Sequence, residues 1–254
     1  MAVCISAICT EKGEEHIVFA VDHMLTTANG EFEHPINKYE IINKNTVAMV
    51  AGDALLMNYF MDLENFDDDY NSIQKTIKKK FYEKRKEIVK EEVLNPLYLD
   101  YDFIKNSMQS PQNNFLTKTI LKEVLKVEIN NAILLLGFID NEAQISEISN
   151  GKIFDFRTIN FHSIGSGNIQ AENTLLFQKQ SRDDDLKTTL YNVYRAKKNA
   201  EVTQGVGKET EMGFLNKNKI IILNKQSLNI LENIYKYDSI CWKEHKDLEK
   251  LKFE

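Results

Sequence analysis

Three positions in this chain combine residue type and spacing in a way that could do chemistry: Asp22, Lys38 and Gly52. Asp22 closes an apolar stretch that reads as a strand. Lys38 follows sixteen residues later, and Gly52 fourteen after that, at a strand-to-helix junction. If the strands pair in sequence order, all three fall at the same edge of one sheet. A carboxylate and an ammonium held together shift each other's proton affinity, which is the raw material of acid–base work. Taken singly, an Asp or a Lys at a strand end is ordinarily solvated. Other signatures do not form. There is no Gly-x-Gly-x-x-Gly after a strand, no phosphate loop and no His-Glu-x-x-His. The histidines (His16, His23, His34, His162, His245) lack mutual ligand spacing, so no metal site is expected. Gly165-Ser-Gly167 fails the Gly-x-Ser-x-Gly spacing of a nucleophile elbow. Cys4, Cys9 and Cys241 are too few and too scattered for a disulfide framework or a four-ligand zinc site, which predicts a reducing compartment.

The elements that must position these residues can be read from periodicity and turn chemistry. Val3 to Cys9 and His16 to Asp22 predict a strand hairpin across the loop Thr10–Glu15, which holds Gly13. Ala28-Asn-Gly30 is turn chemistry. Lys38 to Ile42 and Thr46 to Ala51 predict a second strand pair, and Gly52 opens a helical stretch. Between residues 62 and 126 the texture is charged, with Ile73, Ile77, Phe81 and Ile88 on one helical face. This predicts a long solvated helix broken at Asn95-Pro96 and Ser110-Pro111, then a helix over 115–127. Strands are expected at 132–139, 143–148, 152–156 and 161–165, the first three joined by Asp140-Asn141 and Asn150-Gly151. Helices follow over 169–178 and 183–197, the second on an apolar face of Leu186, Leu190 and Val193 with Asp183-Asp-Asp185 at its start. A last strand pair, 211–215 and 219–223, and a helix from Ser227 close the chain. Segregated blocks of this kind predict a layered α+β fold.

The chain has 254 residues with 32 Lys+Arg against 38 Asp+Glu, so its formal net charge is −6. Its length suits a single domain over 1–254 with a helical elaboration over 62–126. With 43% hydrophobic and 28% charged residues it is globular rather than disordered. The acidic balance argues against nucleic acid or an anionic membrane as partner. The longest apolar run, Ala132 to Ile139, is too short to span a bilayer as a helix. The apolar start, Met1 to Cys9, has no basic residue before it and runs into Glu11-Lys-Gly-Glu-Glu15. It therefore reads as part of the folded domain and not as a signal peptide, and a cytoplasmic location is expected.

The ordered set Phe19-Ala-Val-Asp22, Thr26-Thr-Ala-Asn-Gly30, Lys38, Val50-Ala-Gly-Asp-Ala54 and Ser163-Ile-Gly-Ser-Gly167 resembles the proteasome β-subunit family of N-terminal-nucleophile hydrolases. The separations Asp22 to Lys38 and Lys38 to Gly52 equal those of the family. The opening Met1-Ala-Val-Cys looks most like the bacterial ancestral β-subunit (Anbu) branch. The resemblance runs in order along nearly the whole chain. It implies a four-layer αββα sandwich, hydrolysis of peptide or amide bonds, homo-oligomeric assembly and no metal or organic cofactor. In the family the first residue of the mature chain is the nucleophile and its own α-amine is the general base. Such an amine titrates near pH 8, and a neighbouring lysine cation lowers its pKa. Carried over, Lys38 plays that part and Asp22 neutralises and orients it. The Gly52 N–H holds the oxyanion, Ser166 hydrogen-bonds near the amine, and the backbone around Thr26 and Ala54 pairs with an extended substrate.

The match departs from the family at the nucleophile. The aligned position is Ala2, which has neither hydroxyl nor thiol. Three readings compete: a natural pseudoenzyme that keeps Lys38 and Asp22 as a structural ion pair, an engineered Thr→Ala change, or Cys4 as nucleophile after loss of Met-Ala-Val. The last needs the first hairpin loop to be longer than the family's by two residues. An even shift preserves strand facing, and a nearby Lys38 would then lower the Cys4 pKa. The plain alternative for Cys4 is a small buried apolar residue. The family's supporting Asp and Ser are replaced near Val202-Thr-Gln-Gly-Val-Gly207, with Glu201 or Thr203 as substitutes. Met24 stands where many members carry Arg.

Overall fold

The computed structural model describes residues 2–27, 30–34, 37–62, 69–109 and 114–241. Part of the turn read at Ala28–Gly30, the Ser110-Pro111 break and His245 lie outside the described residues. The protein is α+β. Its first sheet contains β1 (Val3–Glu11), β2 (Glu14–Asp22), β10 (Phe161–Gly165), β11 (Thr210–Leu215) and β12 (Ile220–Ile222), in the antiparallel order β10-β1-β2-β11-β12. Its second contains β5 (Tyr39–Asn43), β6 (Thr46–Ala51), β7 (Ala132–Ile139), β8 (Glu142–Ser149) and β9 (Lys152–Asp155), antiparallel in sequence order. A separate two-stranded hairpin, β3 (Met24–Thr27) with β4 (Gly30–Glu33), lies outside both.

The unbroken apolar sequence of β1 has a direct cause: both faces of the strand are covered. Side chains alternate across a strand. Cys4 and Ile8 pack with Ile17, Phe19 and Val21 against Met49, Leu134, Leu136 and Ile145 of the second sheet. Val3, Ile5, Ala7 and Cys9 pack the other way, against α5 (Asn168–Phe177) and α6 (Leu186–Ala200). The second sheet is covered on its outer face by α1 (Ala54–Met61) and α2 (Tyr70–Ile88), through Met57, Phe60, Tyr70, Ile73, Ile77 and Phe81. The stripe read as one face of a solvated helix is thus a core surface. Beyond α2 the chain passes through a π-helical turn (Val89–Leu94) and a 3-10 turn (Asn95–Leu97), where Pro96 breaks the helix. It then forms α3 (Tyr101–Met108) and α4 (Asn114–Lys126). These pieces bury a small cluster of their own around Val89, Leu94, Ile104 and Ile120. Helix α7 (Lys225–Cys241) closes the described chain. Among the described residues no helix is long and apolar enough to cross a membrane.

The loop expected between β1 and β2 shrinks to a tight turn. Lys12 and Gly13 both have positive φ, 54° and 79°, as a two-residue hairpin requires, and pairing continues to Glu11 and Glu14. The same chemistry sets Asp140-Asn141 and Asn150-Gly151, all four at positive φ.

One ionic clip joins the two sheets and a helix. His162 on β10 contacts Glu147 of β8 at 2.8 Å and Glu172 of α5 at 2.9 Å, with Phe156 stacked on its ring. Burial opposes the imidazolium, but the hydrogen bonds and charges of the two glutamates outweigh it and raise the His162 pKa. Both glutamates are held below the usual carboxylate range: Glu147 chiefly by its bond to His162, Glu172 by His162 and Ser163 against the cost of burial. A raised histidine contributes stability that is present below its unfolded value of about 6.5 and is lost as pH climbs through the folded value. The unfolding free energy is therefore expected to fall as pH rises above about 6.5, and His162→Gln to flatten that slope. Urea unfolding at a series of pH values above and below that point checks it; equal pH slopes in the two proteins would overturn it.

Candidate functional site

The site begins where β2 ends. Asp22 has no solvent exposure, and a carboxylate there must be surrounded by donors. Its Oδ1 accepts the Lys38 ammonium at 2.8 Å and the Val3 N–H at 2.8 Å. Its Oδ2 accepts the N–H of Met24 at 3.0 Å and of Gly207 at 2.8 Å. Lys38, also buried, gives a further bond to the Met24 carbonyl at 2.6 Å. The carboxylate thus ties the start of β1, the β2–β3 corner, the entry to β5 and the loop before β11 to one point.

Of the expected grouping, Asp22 and Lys38 are in contact, but not in the expected way. Asp22 belongs to the first sheet, whereas Lys38 and Gly52 flank β5 and β6 of the second. Asp22 and Lys38 meet because the sheets face each other, not because they share an edge. Gly52 does not open α1. Asp53 is its N-cap, with Oδ1 accepting the Leu55 N–H at 2.8 Å, and Ala54 is its first residue. Gly52 has φ +130°, and a Cβ there would stand 2.0 Å from the Asn130 carbonyl oxygen, so only glycine fits. Thr26 lies in β3, paired with Glu31 of β4.

Ala2 is 1% exposed and packs in the core between the sheets. Its carbonyl accepts the Ser166 hydroxyl at 3.3 Å and the Gly167 N–H at 3.3 Å. Ser166 therefore reaches the first residues through a carbonyl. Gly165, at φ +97°, permits this approach: a Cβ would lie 2.2 Å from the Ala2 oxygen. Gly52, Gly165 and Ser166, with Ala51, Asn130 and Asn131, line a cavity of about 550 Å³.

Of the two readings of Cys4, the geometry fits the small buried residue and not a thiolate activated by Lys38. Cys4 is fully buried and its Sγ donates to the Val50 carbonyl at 3.5 Å. Burial pushes the thiol up to about 12, and the opposing pull of Lys38 is the smaller effect. Cys4 and Cys9 are both free.

One buried neighbour of Asp22 carries no motif in the sequence. Lys197 of α6 is buried and donates to Glu201 at 2.7 Å and to the carbonyls of Gly207 and Lys208 at 2.8 and 2.9 Å. It fixes the loop whose Gly207 N–H binds Asp22. Burial pulls its pKa down, and Glu201 opposes. Its signal was present: Lys197 continues the apolar stripe Leu186, Leu190, Val193 at helical spacing. Of the two expected substitutes, Glu201 thus serves Lys197, while the Thr203 hydroxyl is buried without a partner among the described residues.

Set against known proteins, the chain matches no family model, and none of the curated proteins is detectably similar to it.

Removing one partner of a buried pair strands the other charge, typically at about 3–5 kcal/mol. The two partners of this pair are not equivalent. Without Lys38, Asp22 keeps three backbone donors; without Asp22, the ammonium keeps only the Met24 carbonyl among the described residues. Asp22→Ala is expected to cost about 3–5 kcal/mol and Lys38→Met less, as measured by denaturant unfolding. The reverse order would contradict this account of the site.

Proposed function

We propose that this chain is a proteasome-β-like homologue of the N-terminal-nucleophile hydrolases, built for peptide or amide bonds and lacking a nucleophile at position 2. The observation that carries the reading is the convergence at the start of β1. A buried Asp22–Lys38 pair is bonded to the Val3 N–H, while Ser166 holds the Ala2 carbonyl from the opposite side. In the family reading Lys38 is the cation that lowers the pKa of an N-terminal amine, and its link through Asp22 to the Val3 N–H brings it to the start of β1. The cavity edged by Gly52 and Ser166 gives room for a scissile group. The succession of helices, sheet, sheet and helices is read as the family's four-layer αββα sandwich. Homo-oligomeric assembly and a cytoplasmic location go with the same reading.

A second reading, a non-catalytic ring or scaffold subunit of this fold, is favoured by Ala2 itself. An alanine methyl cannot attack a carbonyl, and the ion pair then serves structure alone. The geometry gives a Cys4-dependent amidohydrolase no support, because the thiol is buried and its pKa is raised.

The deciding variant is Ala2→Thr, with mass spectrometry establishing that the mature chain begins at position 2. The expected result is turnover of fluorogenic peptides together with a covalent adduct from an electrophile selective for N-terminal threonine, where the parent protein gives neither. A folded Ala2→Thr protein with its new threonine free at the N-terminus that neither turns over peptide nor forms the adduct would leave the scaffold reading. Light scattering checks assembly, and a monomer at micromolar concentration would contradict the oligomer.

A further inference from the structure

We propose that Glu211 is a positioning residue for the Asp22–Lys38 pair: its carboxylate holds the residue that follows each partner, and so keeps the Lys38 ammonium seated on Asp22. The inference deepens the function proposed above and rests on that reading for what the pair does, though not for how the pair is held.

The two partners come from different sheets, and each has its backbone anchored within its own. Asp22 ends β2 and pairs with Thr210 of β11. The Lys38 carbonyl accepts the Val50 N–H of β6 at 2.9 Å. Neither link fixes one sheet against the other. Apolar packing presses the sheets together, but it has no direction, whereas a hydrogen bond has one. An ammonium seated on a carboxylate oxygen at 2.8 Å therefore gains from a directional link between the sheets close by.

Glu211 supplies that link. On β11 it stands opposite Val21 of β2, one place from the Thr210–Asp22 pair, and Val21 packs in the core between the sheets. Directly paired residues share a face, so Glu211 points toward the second sheet. Its Oε1 accepts the Tyr39 hydroxyl at 2.7 Å, and its Oε2 lies 3.5 Å from His23 Nε2. Tyr39 follows Lys38, and His23 follows Asp22. One carboxylate thus spans the two corners from which the pair projects, and the Tyr39 bond is the stronger of its two links. Tyr39 is buried, with the Phe19 ring of β2 packed against it at 5.6 Å between centroids. Burial and the Glu211 carboxylate both raise the Tyr39 pKa, so its hydroxyl remains a donor at neutral pH.

The test reads the Lys38 ammonium directly, by NMR of the full-length protein carrying isotope-labelled lysine. Ammonium protons are seen only where burial and bonding slow their exchange with water, and the Lys38 signal is assigned by its loss in Lys38→Met. Glu211→Leu is expected to speed that exchange at least about tenfold. Glu211→Gln still accepts from Tyr39 and is expected to stay within about threefold of the parent. Tyr39→Phe serves where Glu211→Leu does not fold. It strands no buried hydroxyl, the Glu211 side chain is 26% exposed and can turn to water, and the exchange should again rise several-fold. His162→Gln, on the far side of β1, is the control for lost stability and should leave the Lys38 signal unchanged. The proposal is overturned by a parent protein with no slow Lys38 signal, by exchange unmoved in both Glu211→Leu and Tyr39→Phe, or by equally fast exchange in Glu211→Gln or His162→Gln. None of these readings needs turnover, so the two proposals fail separately. In an active Ala2→Thr protein, Glu211→Leu should lower kcat with little change in KM, and Glu211→Gln should restore it. A Lys38 signal lost in Glu211→Leu, beside an inert Ala2→Thr protein, sustains the positioning role and removes the hydrolase. An active Ala2→Thr protein whose Lys38 exchange ignores Glu211 does the opposite.

Discussion

The arrangement depends on one desolvated carboxylate. Burying an ion is costly unless it is paired and hydrogen-bonded, and Asp22 meets that cost with one ammonium and three backbone N–H groups. Each of these donors lies on a different stretch of chain, so satisfying the charge also fixes where four segments meet. Lys197 repeats the device with the opposite sign. It is a buried ammonium whose acceptors are Glu201 and two carbonyls of the loop before β11. Gly207 belongs to both clusters, offering its carbonyl to Lys197 and its N–H to Asp22. The two buried charges are therefore coupled through one peptide segment, and moving either lysine would be felt at the other.

The backbone answers with glycine where two strands must close on a third. At Gly165 and Gly52 the positive φ and the approach of a carbonyl to within about 2 Å of a would-be Cβ act together. Any side chain would meet strain and overlap at once. These two closures shape the mouth of the cavity. The opening is thus set by the same contacts that seat Ala2 and Asn130, and does not require a separate loop.

Much of this was legible in the sequence. Strands β7 and β10 and the turns Asp140-Asn141 and Asn150-Gly151 follow from apolar runs bounded by residues that tolerate positive φ. Asp22, Lys38 and Gly52 were legible from spacing. Their membership of two sheets was not, because alternation says which way a side chain faces and nothing about which sheet lies opposite. The β3–β4 hairpin was missed because its strands are four residues each and β4 is exposed throughout, leaving no apolar period to read.

Position 2 gains most from these geometries. The turn at Lys12-Gly13 is already minimal, and it locks Cys4 opposite Val21 and Val3 onto Asp22. Sliding Cys4 two residues toward the site would break that register along the whole hairpin. The slide therefore has no slack to draw on, and Cys4 stays in the core between the sheets. Asp22 and Lys38 tie four chain segments together whatever residue stands at position 2. The feature that argues for a ligand is one the fold itself does not need, the open cavity edged by Gly52 and Ser166.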